Sequence, residues 1–212
     1  GGSGRLAARW QRKARGTRDP YATDVQVAQS TDDGTRQSFT AGAGDAKDKW
    51  TGAMGLRFAA VDADGTVHGD QVVAPVVCEC CPNAAAVTAD GPLVAYRNRA
   101  TNGNPRPEDV GEDAGTVRDI HVTRLTEGRW TAPTRVHADE WVVNACPDNG
   151  PALDARERSV VIAWWTLADG APRVQAAFSH DAGNTWGSPA RIDQGTGNGQ
   201  VTVALLPRDQ GA

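Results

Sequence analysis

Apolar positions along this chain come in short runs, some alternating with polar residues and some continuous, at 5–11, 24–28, 54–61, 71–77, 93–96, 120–125, 134–137, 160–165, 174–178 and 201–206. Gly, Asp, Asn or Pro bounds each run. Alternation predicts half-buried strands, and continuous runs closed by turn residues predict strands buried on both faces. No comparable stretch sustains the period of roughly 3.6 that a helix requires. The pattern is that of many short strands joined by turns.

The runs also repeat. Residues 81–137 and 146–193 each open on Cys-Pro and continue through a small-residue strand, a polar turn and a hydrophobic strand (92–96; 159–165). A third strand (118–125; 173–179), a tight turn and a short strand after Trp complete each unit. Antiparallel four-stranded units repeated at this spacing are the signature of a β-propeller. On this reading residues 1–40 form a partial blade and 52–77 the outer hairpin of a second; 78–137 and 138–193 are full blades, and 194–212 is the inner strand of another. That makes about three and a half blades, an incomplete propeller whose open strand edges require missing blades or another chain to cover them.

Composition agrees. Among 212 residues only 39% are hydrophobic, yet there are 7 Trp, 24 Gly and 12 Pro, a balance of strands and turns in one large all-β domain or part of a bigger one. The net charge of -4 speaks against a nucleic-acid partner, which needs clustered positive potential. No stretch reaches the roughly 18 apolar residues of a membrane span. Residues 1–10 lack the apolar core of a signal peptide, so any export signal is expected upstream or already removed.

At the turn after the third strand of the last full unit stand Ser179, Asp181, Gly183, Thr185 and Trp186. Ser and Asp side chains can bind the amides of their own turn, Gly supplies positive φ, and Trp can plug the gap between sheets. The spacing Ser-x-Asp-x-Gly-x-Thr-Trp matches the Asp-box. A degenerate copy runs from Ser30 through Asp32 and Gly34 to Phe39, and Glu127-Gly128-Arg129-Trp130 keeps the end alone. With the Cys-Pro loops, the chain resembles over nearly its whole length the bacterial sialidase-family (Asp-box, or BNR-repeat) propeller proteins of the Cys-x-Cys-Cys-Pro kind. The resemblance implies a sialidase-like β-propeller of four-stranded antiparallel blades, exo-α-sialidase-like activity, and a structural role for the Asp-box.

Propeller topology puts the loops that enter inner strands, and those linking second to third strands, on one face, with Asp-box turns on the other. The candidate ligand-binding residues of the first face are Arg97, Arg118, Asp119, Trp141, Asn144, Asp148 and Asn149. A sialidase needs an arginine clamp for a carboxylate and a tyrosine nucleophile assisted by a carboxylate. This chain has two tyrosines, Tyr21 and Tyr96; Tyr96 lies within a hydrophobic strand and is expected in the core. Arg97 and Arg118 are clamp candidates, but Arg118 and Asp119 are neighbours that can pair with each other. The expectation is a non-catalytic binding propeller, for a glycan or a metal, with a sialidase-type glycoside hydrolase as the alternative.

All four cysteines lie in the two Cys-Pro loops: Cys78, Cys80 and Cys81 in one, Cys146 in the other. Thiolates favour copper(I) or zinc, so these four are candidate metal ligands from adjacent units. The even count equally permits disulfides, with Cys80–Cys81 or Cys81–Cys146 as pairings, in a periplasmic or secreted protein. His121, His137 and His180 read as structural.

Overall fold

The computed structural model describes residues 7–13, 23–30, 36–43, 55–62, 67–78, 81–99, 116–143, 147–195, 197 and 199–206. Within them the chain is all-β and its sheets are antiparallel; the single helical element among them is a 3-10 turn at Ala168–Gly170.

The first sheet is a meander of β1 (Ala7–Lys13), β2 (Thr23–Ser30), β3 (Arg36–Ala43), β4 (Gly55–Asp62) and β5 (Val67–Ala74), paired in chain order. Hydropathy separates residues 1–40 from 52–77 and marks no run at β3. The structure joins them: β3 pairs with β4 from Arg36 opposite Asp62 to Ala43 opposite Gly55.

The middle sheet contains β6 (Ala84–Thr88), β7 (Gly91–Arg97) and β9 (Ile120–Thr126), and both β10 (Arg129–Trp130) and β11 (Thr134–Arg135) pair with β9. Between β7 and β9, β8 (Thr116–Val117) leaves the sheet to pair with β12 (Val142–Val143). The third sheet runs β13 (Ala152–Arg156), β14 (Ser159–Thr166), β15 (Arg173–Ser179) and β16 (Ala190–Arg191). β6 and β13 lie side by side without sharing a ladder.

Register makes the two later sheets copies of one plan. Ala84 faces Ala95 as Ala152 faces Ala163, and Arg97 faces Ile120 as Trp165 faces Val174. The Cys-Pro motifs recur at a different interval from the strands: the entry loop of the third sheet holds three more residues between Pro147 and Ala152 than the middle one holds between Pro82 and Ala84. Strand pairing, not the motif, therefore defines corresponding residues.

Successive strand residues point to opposite faces. On β7, Leu93 and Ala95 join Ile120, Val122, Val160, Ile162, Trp164 and Ala177 in one core. Val94 and Tyr96 join Leu56, Phe58, Val73 and Ala74 in another. The middle sheet is thus buried between the first and the third, which is why 93–96 reads as a continuous apolar run. Each fully buried aliphatic side chain here contributes about 1.5–3 kcal/mol by leaving water, and truncating one such as Leu93→Ala costs about 2–5 kcal/mol once the cavity is included. Residues 201–206, expected as a strand, form no ladder.

Candidate functional site

Antiparallel order sorts the connections to two ends of the sheets. One end gathers the hairpin turns 89–90 and 157–158 and the turn after β15. The amide of Ala89 donates to Glu157, and that of Ala182 to Arg158, at 2.9 and 2.8 Å. Here the five Asp-box residues form one local network. The Ser179 hydroxyl accepts from the Gly183 amide at 2.8 Å and donates to Asp181 at 2.7 Å. Asp181 accepts from the amide and hydroxyl of Thr185 at 2.9 and 2.5 Å, and these bonds, Thr185 foremost, hold its carboxyl well below the usual range. Gly183, at φ +88, leaves no room for a side chain, since an added Cβ would sit 2.7 Å from Leu93, and Trp186 packs on the core between the middle and third sheets. Arg124, on β9, clamps this turn to the middle sheet by donating to the Ala182 carbonyl and to Thr88.

The opposite end holds the entry loops 78–83 and 147–150 and the segment linking β7 to β9. At its centre is Arg97, 1% exposed. Its Nε donates to the Asn149 carbonyl, one terminal nitrogen to Arg118 and the other to Trp165, each at 2.6 Å. The guanidinium lies 4.9 Å from the Trp141 ring centroid, and Trp141 meets Trp165 edge-on at 5.3 Å. Burial pulls the Arg97 pKa down to about 10, still high enough to keep it charged at neutral pH. One side chain therefore ties together the end of β7, the entry to β9, the entry loop of β13 and the end of β14.

Asp119 organises the neighbouring turn. Fully buried, it accepts from the amides of Glu140 and Trp141 at 3.2 and 3.3 Å and from Arg135 at 3.1 Å. Burial raises its pKa, against the pull of those donors. Arg135 also reaches Glu140 at 2.7 Å, and Glu140 takes the positive φ of 52° that the turn needs. Asp139 accepts from the Trp164 indole at 2.6 Å and from Gln175 at 2.8 Å, joining this turn to the third sheet. Two main-chain bonds close the root of the segment between β7 and β9: the Asn98 amide to Asp119 at 3.0 Å, and the Arg118 amide to Trp141 at 2.8 Å.

The cysteine loop abuts this centre. Cys78 and Cys81 are both buried and joined by a disulfide with Cα atoms 5.3 Å apart. The amide of Cys78 donates to the Arg97 carbonyl at 2.9 Å. Neither pairing suggested by the sequence is the one formed: Cys81 has one sulfur and it is bonded to Cys78, which excludes Cys80–Cys81 and Cys81–Cys146 bridges, and the Cα separation within the loop is in the range that a disulfide spans. Cys80 and Cys146 lie outside the described residues, and among the described residues no cluster of His, Cys, Asp or Glu is arranged for a metal ion. The two Cys-Pro loops do touch, so tightly that a Cβ on Gly150 would stand 1.7 Å from the Pro82 carbonyl oxygen.

Of the seven ligand-binding candidates, the structure brings the buried Arg97, Arg118, Asp119 and Trp141 together with the half-buried Asn149 in one cluster. Asp148 is exposed at φ 53°, and Asn144 lies outside the described residues. Tyr96 is buried, with its hydroxyl pKa raised by desolvation, as its strand context predicts. His121 is buried beside the Asp119 carbonyl, while His137 approaches Asp139 to 3.8 Å and His180 is exposed. Sequence reasoning passed over Arg135, Asp139, Trp164 and Gln175. The adjacent Trp164-Trp165 pair on one strand is a signal that could have found two of the partners, since neighbours on a strand face opposite sheets.

Comparison of this chain with family models, with curated proteins and with solved structures finds no match.

Proposed function

We propose that this chain is part of a sialidase-like β-propeller and serves as a non-catalytic binding module, presenting a glycan-binding surface on the end where loops enter the inner strands. The carrying observation is the commitment of Arg97. A sialidase clamp must offer its guanidinium to a substrate carboxylate, and this one is buried with donors on three main-chain carbonyls. Tyr96 likewise lies in the core between two sheets, where a nucleophile has no access to substrate. The Asp-box network and the sheet-on-sheet stacking support the propeller reading, and the groups left at the surface of this end include Glu140, Val142 and Asp148.

The disulfide supports a periplasmic or secreted location, since such bridges persist in oxidising compartments. Copper or zinc held by Cys78, Cys80, Cys81 and Cys146 would require that bridge to be reduced, because the metal ligand is the thiolate.

A fluorogenic sialoside tests the reading: the expected release is no faster than in buffer, and turnover that disappears in Tyr96→Phe establishes the competing glycoside hydrolase acting on terminal sialic acids. A glycan microarray tests the binding half, with signal expected to fall in Glu140→Ala and Asp148→Ala; an array with no signal removes the glycan assignment.

A further inference from the structure

Arg135 on β11 and Arg191 on β16 hold the same register position, opposite His121 and Gln175 of corresponding strands. Their guanidinium groups are used differently. Arg191 commits its Nε and Nη2 to its own loop: they donate to Asp193 at 3.0 and 2.9 Å, and Nη2 also reaches the carbonyls of Gly195 and Pro172. Arg135 makes both its contacts through Nη1, to Asp119 at 3.1 Å and to Glu140 at 2.7 Å. Among the described residues nothing bonds to its Nε or Nη2, and Glu140 uses only its Oε1.

The pair is held in place from beneath. Asp119 is fully buried, and its Oδ2 accepts both from Arg135 and from the Glu140 amide, the latter at 3.2 Å. One oxygen thus positions the guanidinium of one residue and the main chain of the other. Glu140 stands at φ 52°, where glycine is at ease and a residue with a side chain is strained. The side chains of Arg135 and Glu140 are 40% and 62% exposed, so both turn polar edges to solvent. A strained, exposed residue and an arginine, both oriented by one buried carboxylate, make a prepared binding surface.

The groups left over define a ligand. The open edge of Arg135 only donates, and the second oxygen of Glu140 only accepts. A hydroxyl does both, so two adjacent hydroxyls of a sugar ring satisfy the pair: one oxygen receives from the guanidinium while the neighbouring O–H donates to Glu140. An acidic sugar fits worse. Its carboxylate would enter beside Asp119 and Glu140, two like charges that already face the guanidinium.

We propose that Arg135 and Glu140 form a subsite that reads the vicinal hydroxyls of a neutral hexose. The inference rests on the glycan-binding reading above and narrows it to this sugar class and this turn.

Saturation-transfer NMR and calorimetry test it with methyl α-mannoside, methyl α-glucoside and methyl β-galactoside, and with glucuronic and sialic acids as acidic counterparts. The expected result is binding of at least one neutral hexoside, weakened about tenfold or more in Arg135→Lys, which keeps the charge and loses the fork, and in Glu140→Gly. The second variant separates recognition from folding: glycine relieves the strain at φ 52°, so the melting temperature should not fall while binding does. Neutral hexosides that bind both variants as well as the parent, or acidic sugars that bind more tightly than neutral ones, overturn the subsite and leave the glycan reading standing. No binding of any of the five also overturns it, and the array then decides the glycan reading separately.

Discussion

Arg97 and Trp165 occupy the same register position in consecutive sheets, and each donates to a main-chain carbonyl farther along the chain, Arg97 to Asn149 ahead of β13 and Trp165 to Gly197. Their chemistry differs. Arg97 donates to three carbonyls from the middle and third sheets and is sealed by Trp141; Trp165 donates to one. The position demands a long donor, and the residue chosen sets how many strands are tied. A fork of donors suits a junction between two sheets, whereas one indole serves a contact with a single segment outside any ladder.

The sharpest way to break this comparison is to remove each donor. Arg97→Met should cost about 3–5 kcal/mol, because three buried carbonyls lose a charged partner. Trp165→Phe should cost about 1 kcal/mol for its one bond. Urea denaturation of both variants reads the difference, and equal losses would mean that the two positions are not distinguished by their bonding.

A smaller effect separates the sheets by pH. His121 on β9 corresponds to Gln175 on β15, and burial lowers the His121 pKa to about 4, below its ordinary value of 6.5. The unfolded chain then binds a proton more readily than the folded one, so stability is full above about pH 6.5 and falls as pH drops toward 4. The loss from this group is about 2–3 kcal/mol, and it should disappear in His121→Gln, which copies the third sheet. Melting curves across that range check it; an unchanged slope in the variant would place the sensitivity elsewhere.

The turns at the far end differ as well. β9 and β10 are joined by Glu127 and Gly128, both at positive φ, while β15 is followed by the Ser179–Asp181 network. Ser179→Ala should cost about 1–2 kcal/mol, the price of two amides losing a buried acceptor. Smallest of all, Arg158→Ala should cost no more than about 0.5 kcal/mol although its contact with Asp90 is 2.5 Å, because the pair is exposed. Chemical denaturation ranks the two, and a reversed order would make the surface pair part of the junction between sheets.

Strands with a strong apolar run were legible in the sequence: β7, β9, β14 and β15 fall on runs at 93–96, 120–125, 160–165 and 174–178. β3 was not, because Arg36–Ala43 carries few large apolar residues and its place is fixed by pairing with β4. The Asp-box was legible because its bonds are local. The cluster around Arg97 was legible only as a set of residues sharing one end. Hydropathy counts an arginine after an apolar strand as the start of a loop, and only the three carbonyls assembled by distant segments reveal that it lies inside. The Cys78–Cys81 bridge was missed for a related reason: matching Cys-Pro loops suggested partners across sheets, while the pair that formed is within one loop.

The two main-chain bonds at the root of the segment between β7 and β9 give this end of the molecule a fixed socket. The Asn98 amide is tied to Asp119 and the Arg118 amide to Trp141. Both bonds run between main-chain groups, so exchanging the side chain at Asn98 or Arg118 leaves the donor and acceptor of each in place. The spacing of β7 from β9 at this end is therefore held by backbone, and the side chains there are left to do other work.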